Sequence, residues 1–356
     1  MSNKDIGFAI IGCGAIAPWH IEAVRASRHG YLVAVADEDK AKAQQVAADA
    51  AVVGYGDYHE MLRRSDIDVV SICTPSGRHG EVAIAAVRAG KHVVVEKPVE
   101  ITLERVDAVL READKAGVKV SAVFQRRFED STRRVKSAID EGKLGKLVLA
   151  NLANEVFRPQ SYYDSGSWRG TRAVDGGGAL MNQGIQGVDL LLHLMGDVES
   201  LSAYAGTLVR HVEVEDTAVI SLRFRSGALG TIVAATCVYP NNPLRCEILG
   251  DRGTVRIEGD TITAWNVEGE PKPSFAPARA PKKMTAPGGF FSQGLEGHIG
   301  QIQDTIDAIR ENRRPLVDGR EGRRAVEFVL AVYESARTGR AVSLPLRSNE
   351  HDLTSA

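Results

Sequence analysis

Gly7-Phe8-Ala9-Ile10-Ile11-Gly12-Cys13-Gly14-Ala15-Ile16-Ala17 decides how the first third of this chain is read. Gly7 to Ile11 has the apolar run of a buried strand, and a helical stretch follows to about Ala26. Between them sits G-x-G-x-x-A. Gly12 permits a tight turn, Gly14 lets the backbone approach a pyrophosphate, and Ala17 keeps the helix close to the sheet. The free N–H groups of the helix start then suit phosphate oxygens. Tyr31 to Ala36 reads as a second strand and ends at Asp37, the spacing at which an acid meets the adenosine ribose hydroxyls. Glu38 and Asp39 follow, so a 2′-phosphate would be repelled and NAD is expected over NADP. Asp37 could instead cap a helix over Glu38–Ala48.

The alternation continues. Val69–Cys73 is a strand leading into Thr74-Pro75-Ser76, then a helix runs from about His79 to Ala89. Strand Val93–Val95, helix Thr102–Ala116 and strand Val118–Val123 complete the set. Repeated β-α-β units imply an α/β, doubly wound parallel sheet of the Rossmann type over residues 1–123. In such sheets ligands bind beyond the carboxyl ends of the strands. Thr74 and Pro75 fall there. So does the stretch Gly90-Lys91-His92-Val93-Val94-Val95-Glu96-Lys97-Pro98, which delivers a carboxylate and an amine to that edge. Lys97 reads either as one half of a surface Glu–Lys pair or as a substrate-binding amine whose pKa burial would lower toward acid–base use. The Lys97-Pro98 bond is open to the cis form, which would fix the side chain's direction. His79 is balanced between a structural and a ligand-facing role.

After Val123 the texture changes. Strand-like runs near Leu147–Glu155, Val198–Tyr204, Val214–Phe224, Leu229–Cys237, Arg245–Leu249 and Thr254–Glu258 have short connections such as Arg225-Ser226-Gly227-Ala228. They imply a C-terminal α+β domain, residues 124–345, with an open, mostly antiparallel sheet. Arg158 to Tyr163 and Trp168-Arg169-Gly170-Thr171 form a loop of aromatics and arginines suited to a sugar or phosphate ligand. A helix from about Gly178 to Leu194 is apolar almost all round. Its exceptions, Asn182, Gln186, Asp189 and His193, share one face. Asn182 and Gln186 are expected at a cavity, with Asp189 and His193 as a structural pair. Asn266 to Gly294 reads as a long proline-bearing loop. Residues 346–356 read as a frayed tail.

Composition narrows the classes. The 356 residues carry a net charge of −2 with both signs interspersed, so no nucleic-acid footprint is present. No apolar run is long enough to span a bilayer, and no signal-peptide pattern leads the chain. The four scattered cysteines fit neither a disulfide framework nor a metal spacing, and no ligand cluster for a metal is apparent; a cytoplasmic location is the expectation.

The glycine loop, Thr74-Pro75 with His79, the Gly90–Pro98 stretch and Asp175-Gly176-Gly177-Gly178 together resemble the Gfo/Idh/MocA oxidoreductases, over nearly the whole chain. That resemblance implies an NAD-dependent sugar or polyol dehydrogenase needing no metal, and a homodimer or homotetramer. It implies that Lys97 is the catalytic or substrate-orienting lysine. Gly12, Gly14, Ala15, Ile16, Asp37, Thr74, Pro75, His79, Glu96, Lys97 and Gln125 would line the cofactor, with Trp168 and Arg169 near its nicotinamide end. Lys97, Arg127, Tyr163, Asn182, Gln186 and His298 would meet the substrate, although a cap or surface role is the simpler expectation for His298. Many members carry a histidine where Gln186 stands. A glutamine amide does not titrate near neutrality. Either Lys97 does the acid–base work alone, or Tyr163 or His298 substitutes, or the protein binds without reacting. The stretch from Tyr162 to Ile185 is similar to the nucleotide-sugar 3-dehydrogenase branch. Free-polyol dehydrogenation and a non-catalytic NAD-bound sensor are the rival readings.

Overall fold

The computed structural model describes residues 4–271, 283–285 and 292–346. Strands β1 (Ile6–Ile11), β2 (Gly30–Ala36), β3 (Val53–Tyr55), β4 (Val69–Ile72), β5 (His92–Val95) and β6 (Val120–Ala122) form one sheet in the order β3-β2-β1-β4-β5-β6. Every neighbouring pair is parallel. Helices α1 (Ala17–Ala26), α2 (Lys40–Ala50), α3 (Tyr58–Leu62), α4 (His79–Arg88) and α5 (Leu103–Ala116) are its crossovers. This is the doubly wound sheet that the alternation implies. The one strand not foreseen, β3, is three residues long and half exposed, too short to show a period.

The strands read as unbroken apolar runs because both faces are covered. Phe8, Val69 and Val94 pack with Trp19 and Val24 of α1 on one face. Ala9, Ile11, Val70, Val93 and Val95 pack on the other with Val82 and Val106. Val93, Val94 and Val95 have no exposed surface. Each contributes roughly 1.5–3 kcal/mol of burial, which anchors the strand that carries Glu96 and Lys97.

The second sheet begins with β7 (Leu147–Glu155) and β8 (Val198–Gly206), and continues with β9 (Thr217–Phe224), β10 (Leu229–Ala235), β11 (Arg245–Gly250), β12 (Gly253–Glu258) and β13 (Thr261–Val267). After the short pair β14 (Lys283–Thr285) and β15 (Ser292–Gly294) comes β16 (Val342–Ser343), which joins this sheet. The order is β13-β12-β11-β7-β10-β9-β8-β16. Only β7 and β10 run parallel; the other pairs are antiparallel. Helices α6 (Asp130–Asp140), α7 (Gln160–Asp164), α8 (Ile185–Met195), α9 (Glu296–Arg310) and α10 (Gly319–Thr338) complete the described elements. β9 alternates buried and exposed residues, so one face of this sheet is packed and the other carries exposed Tyr204, Val219 and Leu229.

Helix α9 packs Leu295, Ile302 and Ile306 against Phe8 and Trp19 of the first sheet's layer. It thereby returns the late chain to the N-terminal half and brings His298 there. The long loop expected over Asn266–Gly294 begins inside β13 and otherwise lies largely outside the described residues, as does the tail from 347. No described helix is long and apolar enough to cross a membrane.

Candidate active site

A cleft of about 1220 Å³ runs along the carboxyl ends of β1, β2, β4 and β5 and on to the edge of the second sheet. At its base Gly12 has φ +95°, and a Cβ there would sit 2.6 Å from the Cys73 carbonyl group. The turn admits only glycine, because strand β4 leaves no room. Gly14 differs: a Cβ there would meet nothing nearer than the Cys73 oxygen at 3.9 Å. The chain's own packing does not demand that glycine, whereas a ligand lying against the loop would. Asp37 stands beside it. Its carboxylate accepts from the N–H of Cys13 at 2.7 Å and of Asp39 at 3.0 Å, and lies 3.3 Å from Lys42 Nζ. The cap of α2 is Asp39, which accepts from the N–H groups of Ala41 and Lys42. Asp37 is therefore not consumed as a helix cap and lines the cleft. Thr74 Oγ1 is buried there without a hydrogen-bond partner. An open cradle at Gly14, an acid at the end of β2 and an orphaned hydroxyl fit a dinucleotide.

Lys97 follows β5, and its peptide bond to Pro98 is cis. Its amine points into the cleft and donates to the main-chain carbonyl of Asn182 at 2.8 Å. Burial lowers its pKa; Glu96 and Asp175 oppose the shift, and Arg169 and Arg158 add to it. The neutral amine is thus more accessible than in an exposed lysine. Asn182 Nδ2 in turn donates to Asp175 Oδ1, whose other oxygen accepts from the Gly170 N–H.

The helix expected from Gly178 is not uniform. Ala179–Gly184 is a π-helical turn, followed by α8. Such a wide turn inside a helix is frequent at functional sites. Asn182 and Gln186 both line the cleft, as expected. Gln186 Nε2 donates to Gln125 Oε1 at 2.5 Å and to the Val123 carbonyl at 3.3 Å. Its Oε1 is buried with no partner, an acceptor aimed at a missing donor.

Four expectations are corrected. Asp189 pairs with Arg127, not with His193: Arg127 Nε and Nη2 donate to its two oxygens at 2.8 and 2.5 Å, and Nη2 also reaches Glu321 at 2.7 Å. Arg127 is 4% exposed and does not line the cleft, so the expected substrate contact is instead a buried strut between helices. Tyr163 likewise turns away, its hydroxyl donating to Thr236 Oγ1 at 2.8 Å. His298 is no surface cap: it is 2% exposed, lines the cleft, and neither ring nitrogen has a hydrogen-bond partner. Burial, with His20 adding to it, pushes its pKa down to about 3, so it is neutral.

His20 escaped the sequence reading. It rises from α1, just past the glycine loop, with Nδ1 2.5 Å from Ser71 Oγ and Nε2 3.0 Å from Glu96 Oε1. Burial alone would raise the Glu96 pKa, but the bond and charge of His20, with Lys97, hold it at about 2. The ligand-type atoms of His20, Glu96 and His298 lie within 4.8 Å of one another, so a grouping that could hold a metal does exist, contrary to expectation. A helical heptad gives no hint that a residue of α1 will meet one of α9. His79 lines the cleft, with its ring nitrogens 2.7 and 2.8 Å from the carbonyls of Pro98 and Thr74. It braces the two strand-end loops together. Pro75, Ala15, Ile16, Gln125, Trp168 and Arg169 also line the cleft. Arg169 stacks 4.6 Å from the Trp168 ring and 4.4 Å from that of Tyr162.

A family model described as "Oxidoreductase family, NAD-binding Rossmann fold" matches residues 6–124, and one described as "GFO/IDH/MocA C-terminal domain" matches residues 132–256. The solved WlbA dehydrogenase of Bordetella pertussis, in complex with NADH and UDP-GlcNAcA, is 35% identical. The match covers 97% of this chain and 100% of that one, with a TM-score of 0.85. Myo-inositol 2-dehydrogenase of Thermotoga maritima is 27% identical over 345 residues, 94% of this chain and 97% of that protein. The NADP(+) scyllo-inositol 2-dehydrogenase IolW of Bacillus subtilis is 27% identical over 339 residues, 89% and 92% of the two chains.

Proposed function

Because the chain belongs to the Gfo/Idh/MocA oxidoreductases, we propose that it oxidises a secondary alcohol on a nucleotide-linked sugar ring, at C3 of a UDP-N-acetylhexosamine or its uronate, with NAD. The observation that carries this reading is the half-buried Lys97, whose amine opens into the same cleft as the dinucleotide loop and is fixed on the Asn182 carbonyl. The 35% identity to a dehydrogenase solved with UDP-GlcNAcA supports the substrate. Asp37, followed by Glu38 and Asp39, supports NAD over NADP, with Lys42 paired to Asp37.

NAD, when bound, supplies the hydride acceptor. The chain supplies the rest. Lys97, its neutral form favoured by burial, takes the proton of the reacting hydroxyl. The Asn182 carbonyl keeps the amine aimed. The orphaned Gln186 Oε1 accepts from a neighbouring sugar hydroxyl. It positions and does not titrate. Glu96 is tied to His20 and to the Lys97 N–H, so it holds the loop and leaves the proton to Lys97.

The identity to inositol dehydrogenases favours a second reading, a free-polyol dehydrogenase. Nicotinamide absorbance after mixing the protein and NAD with UDP-GlcNAcA, UDP-GlcNAc and myo-inositol separates them. Reduction with the UDP sugars alone is the expected result. Reduction with inositol alone supports the second reading, and NAD binding without reduction by any sugar supports a non-catalytic binding protein.

A further inference from the structure

One arm of the cleft is lined by polar groups whose donors are only partly met by acceptors. β7 and its extension carry Asn154, Val156 and Arg158 on one side, the period-two spacing of a strand, and all three line the cleft. Main-chain bonds from Val156 to Ala235 and from Arg158 to Thr236 tie that extension to the end of β10 and the residue after it. Asn154 is 5% exposed, and its Nδ2 has no partner. Arg158 is 7% exposed. Its Nε donates to Gln183 Oε1 at 3.2 Å and its Nη1 to the Phe157 carbonyl at 3.1 Å, both neutral acceptors. Among the described residues Arg158 forms no ion pair, whereas buried Arg127 meets two carboxylates. A guanidinium kept out of water without a counter-charge is costly. Lys97 and Arg169 add two more cations to this part of the cleft, and Glu96 and Asp175 are the acids facing Lys97. Arg169 is already stacked on two rings and bonded to the Tyr162 hydroxyl at 2.6 Å, while Arg158 lies more loosely over the Tyr162 ring at 5.6 Å. Arg158 and Asn154 are left facing the space beside Lys97.

We propose that Arg158, assisted by Asn154, binds an anionic oxygen group of the substrate, a carboxylate or a phosphate, and thereby sets specificity for charged over neutral sugars. This rests on reading the cleft as a sugar dehydrogenase site, and deepens it. The unused Nη2 offers a charge-assisted donor to an anionic oxygen, and the Asn154 amide adds a donor from the same strand face. A neutral polyol would leave the charge unanswered.

The test uses the full chain saturated with NADH, so that the sugars bind without being oxidised. Binding of UDP-GlcNAcA, UDP-GlcNAc, the uronate lacking the nucleotide, and myo-inositol is measured by calorimetry for the wild type, Arg158→Gln, Arg158→Lys and Asn154→Asp. Arg158→Gln is expected to weaken UDP-GlcNAcA about 100-fold, the size of a charge-assisted pair. Arg158→Lys is expected to recover part of that loss. NAD affinity and Tm should not move. If the carboxylate is the group read, the free uronate falls in parallel and UDP-GlcNAc changes little. If the phosphate is read, both UDP sugars fall alike and the free uronate does not. Asn154→Asp, which faces the group with a like charge, should reject the same ligands about tenfold or more and spare inositol. It decides the matter should Arg158→Gln not fold. Equal losses for charged and neutral ligands, or none for any, overturn the proposal. A wild type that reduces NAD with inositol but binds no charged sugar overturns it while leaving a dehydrogenase. Arg158-dependent binding without NAD reduction overturns the dehydrogenase and keeps the anion site.

Discussion

The Lys97 amine and the Asn182 main-chain carbonyl meet at 2.8 Å, joining the end of β5 to the π-helical turn before α8. Burial holds that amine's pKa below the ordinary lysine value of 10.5. If Lys97 takes the alcohol proton as proposed, oxidation needs the neutral amine, and kcat should rise with pH along a limb whose midpoint lies below 10.5, then level. The sign for stability agrees. Between the lowered folded value and 10.5 the unfolded chain binds the extra proton, so stability attributable to Lys97 rises with pH there. A pH profile of kcat in wild type and Lys97→Arg checks this, and an identical limb in both would contradict it.

Gly12 and Gly14 should separate folding from binding. Gly12→Ala puts a Cβ against the Cys73 carbonyl at a φ of +95° and should destabilise by about 1–3 kcal/mol from backbone strain alone. Gly14→Ala places a Cβ no nearer than 3.9 Å to the Cys73 oxygen. It should fold with an unchanged Tm and weaken NAD about tenfold or more, the loss of about 1.4 kcal/mol of contact. Thermal melts with NAD titrations distinguish the two, and a Gly14 variant with wild-type NAD affinity would show that the cradle holds something else.

Arg127→Ala should cost about 3–5 kcal/mol, because it strands Asp189, 1% exposed, without its partner. Turnover per folded molecule should stay near wild type, since Arg127 does not line the cleft. A denaturant melt together with active-site-normalised kinetics measures both. A stable variant with a raised KM would return Arg127 to the substrate.

Asp37→Ser removes the acid at the end of β2 and its pairing with Lys42. NAD affinity should fall about 10- to 100-fold, the size of one or two charge-assisted hydrogen bonds. The preference for NAD over NADP, read as a ratio of kcat/KM values, should shrink. An unchanged ratio would place the discrimination elsewhere.

The first sheet was legible because strands buried on both faces announce themselves as apolar runs, and because Gly12 and Asp37 mark β1 and β2 at their carboxyl ends. Lys97, Asn182 and Gln186 were legible for a similar reason: polar groups in apolar surroundings need partners. What escaped depends on contacts between distant segments. Asn182, Gln186, Asp189 and His193 fall on one helical line. That line could not reveal that Arg127, 62 positions earlier, would claim Asp189. Nor could His298 be seen as buried before α9 was known to pack on the layer of α1. The π turn at Ala179–Gly184 changes the local period without any residue that signals it.

The central claim is that the Lys97 amine takes the proton of the alcohol that is oxidised in this cleft. Single-turnover reduction of NAD by UDP-GlcNAcA, in wild type and Lys97→Met with NAD bound to both, tests it most directly. General acid–base catalysis is worth roughly 10²–10⁴-fold, so the variant should bind NAD normally and reduce it slower by that factor. Wild-type rates in Lys97→Met would contradict the account.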